Sequence, residues 1–379
     1  MSLVLTEEQE LLRDSARDFV ADNMRVDDLR KLRDERSGRG FDAERWKQMA
    51  ELGWAGIPCP EEYAGAGLGF AELGLVLEEL GRRLAVTPFL STVVLGGGAL
   101  RLGGSQAQKQ ELLPGICEGR TLLALAYQET PRHEPYSVET AARPDGKGYR
   151  ISGRKTLVLD GADADPLIVL ARTGGSPAER GGLTLFLVDA HSAGVETKRS
   201  FLIDSRSAAN IELADVHVEA NAVLGEVGAG AELLDPVLDL GAVALSAEML
   251  GGIQEALDRT VAYMKEREQF GVKIGSFQGL KHRAARWFCE LELTRSIVLQ
   301  ALRAIDAGQP NAPELASTCK ARASDSFRLA GEEGIQLHGG IGVTDEEDIG
   351  FFMKRARVSE LLLGDAAFHR NRFAELRGY

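Results

Sequence analysis

The chain has 379 residues, 44% of them hydrophobic, with a formal net charge of −13. That length suits two or three domains around a large core, and the acidic balance argues against nucleic acid and anionic membrane surfaces as main partners. Cys59, Cys117, Cys289 and Cys319 show no C-x-x-C spacing, the acidic start MSLVLTEEQE lacks a signal-peptide pattern, and no apolar run approaches the ~20 residues that span a bilayer, so a cytoplasmic protein with reduced thiols is expected.

Residues 1–120 read as helices. Thr6 with Gln9 three residues on is a capping box, and Leu11, Leu12, Ala16, Phe19 and Val20 then share one face. Trp46, Met49, Leu52 and Trp54 mark a second helix that stops near Gly53, and Pro58-Cys59-Pro60 breaks the pattern. Tyr63–Gly69 looks like a phosphate loop but has no preceding strand, so it is expected to be a plain loop between helices. Leu73, Val76, Leu77 and Leu80, and then Leu112, Leu113 and Ile116, return to helical spacing.

At residue 121 the texture changes. Short apolar runs at 122–127, 148–151, 155–159, 167–171, 183–188, 210–213 and 216–218 are bounded by Gly, Pro, Asp or Ser. Such evenly spaced strand signals predict a β-barrel or sandwich over residues 121–229. Residues 230–379 are helical again. The pattern predicts a helix ending at Gly271 in the left-handed position that follows a helix, and a polar hairpin tip. The next helix is opened by Gly275, Phe277 and Gln278, with an apolar stripe from Leu280 to Ile305. A further stripe runs from Leu315 to Gly334, and one final helix is expected over about Asp348–Leu376, so a four-helix bundle is predicted. The fold class is therefore α+β: a helical N-terminal domain, a middle β-barrel domain and a C-terminal four-helix bundle.

Chemistry is hard to find by composition alone. The six histidines have no partner at metal-ligand spacing, so no metal site is predicted. No G-x-S-x-G elbow occurs, and His338-Gly339-Gly340-Ile341-Gly342 follows a helix where a dinucleotide fingerprint needs a strand.

Four segments in order do carry a resemblance: LAYQE at Leu125–Glu129, KTLVLDG at Lys155–Gly161, YMKEREQFGVKIGSFQ at Tyr263–Gln278, and Gln336-x-x-Gly339-Gly340. Together they resemble the acyl-CoA dehydrogenase family. The resemblance implies FAD as cofactor and α,β-dehydrogenation of an acyl-CoA thioester, in which a base removes the α proton while the flavin takes the β hydride. It also implies an electron-transfer flavoprotein or similar acceptor, and a homodimer, homotetramer or heterotetramer with a sister subunit. Tyr127 and Gln128 stand on the first flavin strand; Gln128 replaces the usual Thr, and its amide both donates and accepts. Leu157 and Leu159 stand where the second flavin strand commonly has Trp and Thr, leaving aliphatic contact and one hydrogen bond fewer. Arg267, Phe270 and Gln278 at the hairpin, with Gln336, Gly339 and Gly340, match residues that meet the partner subunit's FAD. A guanidinium suits a diphosphate, and glycines let backbone N–H groups approach it.

The same resemblance places Leu363, Gly364 and Asp365 on the family's Glu-Gly-Thr, the Glu being the usual base, and puts Asp365 beside the cofactor. Leucine accepts no proton, and the alternative base position on the first bundle helix holds Gly241, followed by Ala242. Glu248, Glu360 and Asp365 remain as candidate bases, each with a structural role as the competing reading. The open alternatives are a non-catalytic partner of a sister dehydrogenase, and a flavin oxidase or monooxygenase on the same fold.

Overall fold

The computed structural model describes residues 4–36 and 38–379. Thr6 Oγ1 accepts from the Gln9 N–H while Gln9 Oε1 accepts from the Thr6 N–H, and this reciprocal box opens helix α1 (Glu7–Asn23) as expected. α2 (Val26–Glu35) lacks an apolar stripe, burying only Val26 and Leu29, which is why spacing does not announce it. Asp42 caps α3 (Ala43–Glu51), and Gly53 at φ +80° turns the chain away after it. The Tyr63–Gly69 stretch is a loop: Ala66 and Gly67 donate to the carbonyls of Gly56 and Cys59. α4 (Phe70–Arg82), α5 (Gly97–Gly103) and α6 (Gln106–Cys117) follow.

The strands are β1 (Ala124–Ala126), β2 (Ala141–Asp145), β3 (Gly148–Leu159), β4 (Leu167–Arg172), β5 (Leu183–Val188), β6 (Val195–Phe201), β7 (Ser207–Glu219) and β8 (Val223–Leu224). They form one mixed sheet in the order β6-β7-β3-β2-β4-β5-β8, with β1 parallel to β4. Among the described residues, hydrogen bonds do not join β6 to β8. Two expected pairs of short strands prove to be single long ones, β3 and β7. Irregularities between Ile151 and Gly153 and between Lys155 and Val158 interrupt the alternation that would have shown β3 as continuous. Ile151, Val169, Phe186, Ile211 and Val216 fill the core behind the sheet.

The C-terminal helices are α7 (Gly230–Glu266), α8 (Gln278–Asp306), α9 (Ala312–His338), α10 (Ile349–Leu361) and α11 (Ala366–Leu376). Two expectations are corrected here. Gly271 does not close α7, which ends at Glu266. Instead β9 (Glu268–Gln269) and β10 (Val272–Lys273) pair, and Phe270 (φ +56°) with Gly271 (φ +78°) forms their two-residue turn. Left-handed backbone at both central positions matches the twist of a tight hairpin. Nor is Asp348–Leu376 one helix: Leu363 (φ +60°) and Gly364 (φ +98°) separate α10 from α11, since two successive left-handed residues cannot continue a right-handed helix.

Contacts divide the chain into two compact units, so the N-terminal helices are shared out between them. One unit comprises the described residues up to Lys31, with Phe70–Ala85 and Ala242–Tyr379; the other comprises Leu32–Gly69 and Val86–Gly241. In the first, α9 packs against α8, α10 and α11. Glycines bring its helices close: a Cβ on Gly81 would lie 2.0 Å from the Glu248 carbonyl oxygen, and one on Gly252 would lie 2.5 Å from the Phe327 ring. The second holds the sheet. No helix among the described residues is long and apolar enough to cross a membrane.

Candidate functional site

In the sheet unit, β1 runs out beside the irregularity in β3. The Gln128 carbonyl accepts from the Thr156 N–H at 2.8 Å, so Gln128 and Leu157 become neighbours although 29 residues apart in number. Leu157 has φ +52° and is 36% exposed, an unusual conformation for leucine on an open surface. Asn210 Oδ1 holds this bend from β7, accepting from Thr156 Oγ1 at 2.8 Å and from the Leu157 N–H at 3.3 Å. Leu159 is half-buried. The Gln128 amide donates to the Thr130 carbonyl at 2.8 Å, leaving its oxygen as the part that can meet a ligand. Tyr127 is buried, its hydroxyl 3.3 Å from His133 Nδ1, and burial pushes its pKa up.

Behind these residues lies a pair that spacing did not single out. Lys155 Nζ is fully buried and 2.6 Å from Glu129 Oε1, and the Glu139 and Thr140 N–H groups donate to the same carboxylate. Burial pushes Lys155 down to about 8 against the pull of Glu129. Burial raises Glu129, but Lys155 and the N–H donors outweigh it and hold the carboxyl below its ordinary value. A lysine inside a strand whose alternate positions are apolar was the available signal.

In the helical unit, Met264, Ile274 and Leu337 form a small core with Tyr263 and Leu280, and the Tyr263 ring stacks on His338 at 4.5 Å. This ties the β9–β10 hairpin to the end of α9. It brings Arg267, Phe270 and Gln278 onto one region with Gln336, Gly339 and Gly340, all of them exposed. Phe270 is 92% exposed at the turn. Glu268 is taken by Lys273 at 2.7 Å, and among the described residues the Arg267 guanidinium has no carboxylate. Gly339 has φ +68° and ψ −142°, a conformation that excludes a side chain, and a Cβ on either Gly339 or Gly340 would meet nothing within 4 Å.

The break after α10 forms a third cluster. Leu363 is buried, and its carbonyl accepts from His369 Nε2 at 2.9 Å. Among the described residues its N–H has no backbone acceptor. Lys320 Nζ, fully buried on α9, donates to Ser324 Oγ, the Glu360 carbonyl and the Gly364 carbonyl. The candidate carboxylates all have structural partners. Glu248 lies 2.8 Å from the buried Arg355, Glu360 lies 2.7 Å from Arg357, and Asp365 caps α11 by accepting from the Phe368 N–H at 2.8 Å. For Glu248 the contact with Arg355 supplies the structural role that stood as the competing reading. Lys320 and His369 were also missed; a lysine among the small residues Ala316–Ala323 of an apolar-faced helix was the clue. No group of His, Cys, Asp or Glu that could hold a metal occurs among the described residues.

Comparison with known proteins gives one family along the chain. Residues 6–120 match the acyl-CoA dehydrogenase N-terminal domain, 128–216 the middle domain and 228–376 the C-terminal domain. The chain is 32% identical to the mitochondrial isovaleryl-CoA dehydrogenase of Pongo abelii, over 97% of this chain and 88% of that one. The chain belongs to the acyl-CoA dehydrogenase family. Members are FAD-dependent oxidoreductases acting on CH–CH groups, and this acyl-CoA dehydrogenase has their helix–sheet–helix architecture. It superposes on the structure of a glycine-to-alanine variant of the steroid ACAD Tcur3481-Tcur3483 with a TM-score of 0.87, at 32% identity over 98% of each chain. With a chain of the ChsE4-ChsE5 complex of Mycobacterium tuberculosis the TM-score is 0.88, at 27% identity over 100% of each.

The residues present fit FAD. Open space over Gly339 and Gly340 admits a phosphate against backbone N–H groups, Arg267 offers a cation with no carboxylate partner among the described residues, and Phe270 offers an exposed ring.

Proposed function

We propose that this chain is an acyl-CoA dehydrogenase subunit that binds and polarises an acyl thioester without a carboxylate base at position 363. The observation that carries the reading is the Leu362–Asp365 break, where a leucine stands at the turn and each nearby carboxylate already has a partner. FAD, when bound, accepts the β hydride of the acyl chain. Arg267, Phe270, Gln278, Gln336, Gly339 and Gly340 would hold the diphosphate end of a neighbouring subunit's cofactor. Tyr127, Gln128, Leu157 and Leu159 would line the flavin of their own chain, the Gln128 oxygen as acceptor and the leucines by apolar contact. The Leu363 N–H would donate to the thioester oxygen, where negative charge develops as the α proton leaves.

General-base help is worth roughly 10²–10⁴-fold, so the isolated chain is expected to bind acyl-CoA and reduce its flavin slowly. A sister subunit supplying the base is the natural complement, for which the ChsE4-ChsE5 complex is a precedent, and the steroid ACAD favours a bulky CoA ester as substrate. We assign three domains, 1–120, 121–229 and 230–379, a cytoplasmic location, and an electron-transfer flavoprotein as acceptor, in keeping with a caffeyl-CoA reductase–Etf complex subunit of Acetobacterium woodii, 30% identical over 96% of both chains. The test is anaerobic flavin reduction by a panel of acyl-CoAs, with Leu363→Glu alongside. Slow reduction that Leu363→Glu or a sister chain accelerates supports the reading; fast reduction by the unmodified chain alone refutes the missing base. The same structural pairing of all three carboxylates favours a second reading, a non-catalytic partner, which predicts that no reduction occurs even with Leu363→Glu.

A further inference from the structure

Only four residues, Leu362–Asp365, link α10 to α11, and two of them are left-handed. Such a link has no secondary structure to hold it, yet its carbonyls are gripped from behind. His369 Nε2 donates to the Leu363 carbonyl at 2.9 Å, and Lys320 Nζ donates to the Gly364 carbonyl at 2.8 Å and to the Glu360 carbonyl at 3.1 Å, in the last turn of α10. The third ammonium hydrogen goes to Ser324 Oγ at 3.1 Å, so the cation's three donors meet three acceptors. His369 is itself set by α11, which Asp365 caps. In a trans peptide the C=O and N–H point in opposite directions. Fixing the Leu363 carbonyl against His369 therefore turns the Gly364 N–H away from His369, and with φ of Leu363 set, the Leu363 N–H is fixed too.

We propose that Lys320 and His369 are positioning residues for an acyl thioester: by gripping the carbonyls of Glu360, Leu363 and Gly364 they hold the Leu363 N–H in the orientation that meets the thioester oxygen. This rests on the reading of the link given above. Neither residue touches the reacting atoms. A lysine buried this completely needs a reason, because a leucine or methionine would fill the same space without the desolvation of a cation. Burial draws the Lys320 amine down to about 7, opposed by Glu360, Asp365 and Cys319. The groups facing it are Glu360 and its partner Arg357 on α10, Asp365 and His369 at α11, and Cys319 and Ser324 on α9. A neutral amine keeps two N–H donors, enough for both carbonyls, with Ser324 turning its hydroxyl to donate; the grip then persists without charge assistance.

The test compares a 2-enoyl-CoA, which carries the thioester oxygen, with the S-alkyl-CoA thioether of equal chain length, which lacks it. Both affinities are measured calorimetrically on the FAD-loaded protein, alongside hydrogen exchange of the 362–365 amides. Lys320→Met is expected to weaken the thioester about tenfold, a factor equal to about 1.4 kcal/mol, to leave the thioether within about twofold, to keep FAD content, and to speed exchange in the link. In the unmodified protein, exchange in the link relative to other buried amides should rise between about pH 6 and about pH 8.5, a change Lys320→Met abolishes. Equal loss for both ligands would show a merely structural lysine and overturn the proposal, as would an unchanged thioester preference. If the unmodified protein itself shows no thioester preference, the reading of the link fails and this proposal with it. Where Lys320→Met does not fold, His369→Phe decides by the same ratio.

Discussion

Replacing Glu248 separates a structural carboxylate from a catalytic one. Glu248 Oε1 lies 2.8 Å from Arg355 Nη1, and the arginine side chain is 1% exposed against 12% for the glutamate. Arg355 also donates to the Leu84 carbonyl at 3.0 Å and the Ala85 carbonyl at 3.4 Å, so it joins α7 and α10 to the end of α4. In Glu248→Ala the guanidinium stays buried without this carboxylate while still donating to the Leu84 and Ala85 carbonyls. Breaking one side of a buried pair costs about 3–5 kcal/mol, a large share of the roughly 5–15 kcal/mol by which a domain is stable. Glu248→Gln keeps an acceptor oxygen of the same shape and exchanges a charge-assisted hydrogen bond for a neutral one, so a loss of about 1–1.5 kcal/mol is expected. The assay is urea unfolding followed by far-UV circular dichroism, paired with anaerobic flavin reduction by acyl-CoA on the folded fraction. Both variants should lose stability in that order while the reduction rate per folded molecule stays within a few-fold. A glutamine variant as stable as the parent whose flavin reduction collapses by about 100-fold or more would refute the structural assignment and make Glu248 the base.

Arg267→Ala should lower FAD retention by about 10- to 150-fold, the equivalent of roughly 1.5–3 kcal/mol for a charge-assisted contact, with the unfolding midpoint unchanged; equal flavin content after gel filtration would contradict the assignment. Because half the cofactor contacts are assigned to a partner's site, the protein should sediment as a dimer or a multiple of dimers, and a monomer that keeps FAD tightly would refute this. Lys320 has a folded pKa of about 7 against an ordinary 10.5, so the unfolded chain holds one more proton between these values. The lysine's contribution to stability is thus present in full above about pH 10.5 and lost as pH falls through about 7. Between about pH 7 and about pH 8.5 the parent should gain about 1.6 kcal/mol relative to Lys320→Met, the slope rising from about half to nearly the full 1.4 kcal/mol per unit over that range; a pH-independent difference would refute the buried, depressed amine.

What the chain order alone determined was local or periodic. The Thr6 capping box, the apolar stripes of α8 and α9 and the strands β4 and β5 each depend on residues close in sequence, so their signals survive without neighbours. Four short segments, compared with a family pattern, were enough to name the cofactor and the reaction class. Signals failed where the backbone departs from regular geometry. β3 looked like two strands because its irregularities shift the alternation, and α10 and α11 looked like one helix because the hydrophobic pattern runs on through Leu361–Leu363 while the left-handed turns are invisible in it. Only the tertiary structure decided which charges are committed. Glu248 meets Arg355 from 107 residues away, and Lys320 reaches a carbonyl 44 residues on, across contacts that no local pattern encodes. The physical reason is that burying a charge is tolerable only when a partner is delivered to it, and delivery is a property of how helices pack, not of the segment that carries the charge.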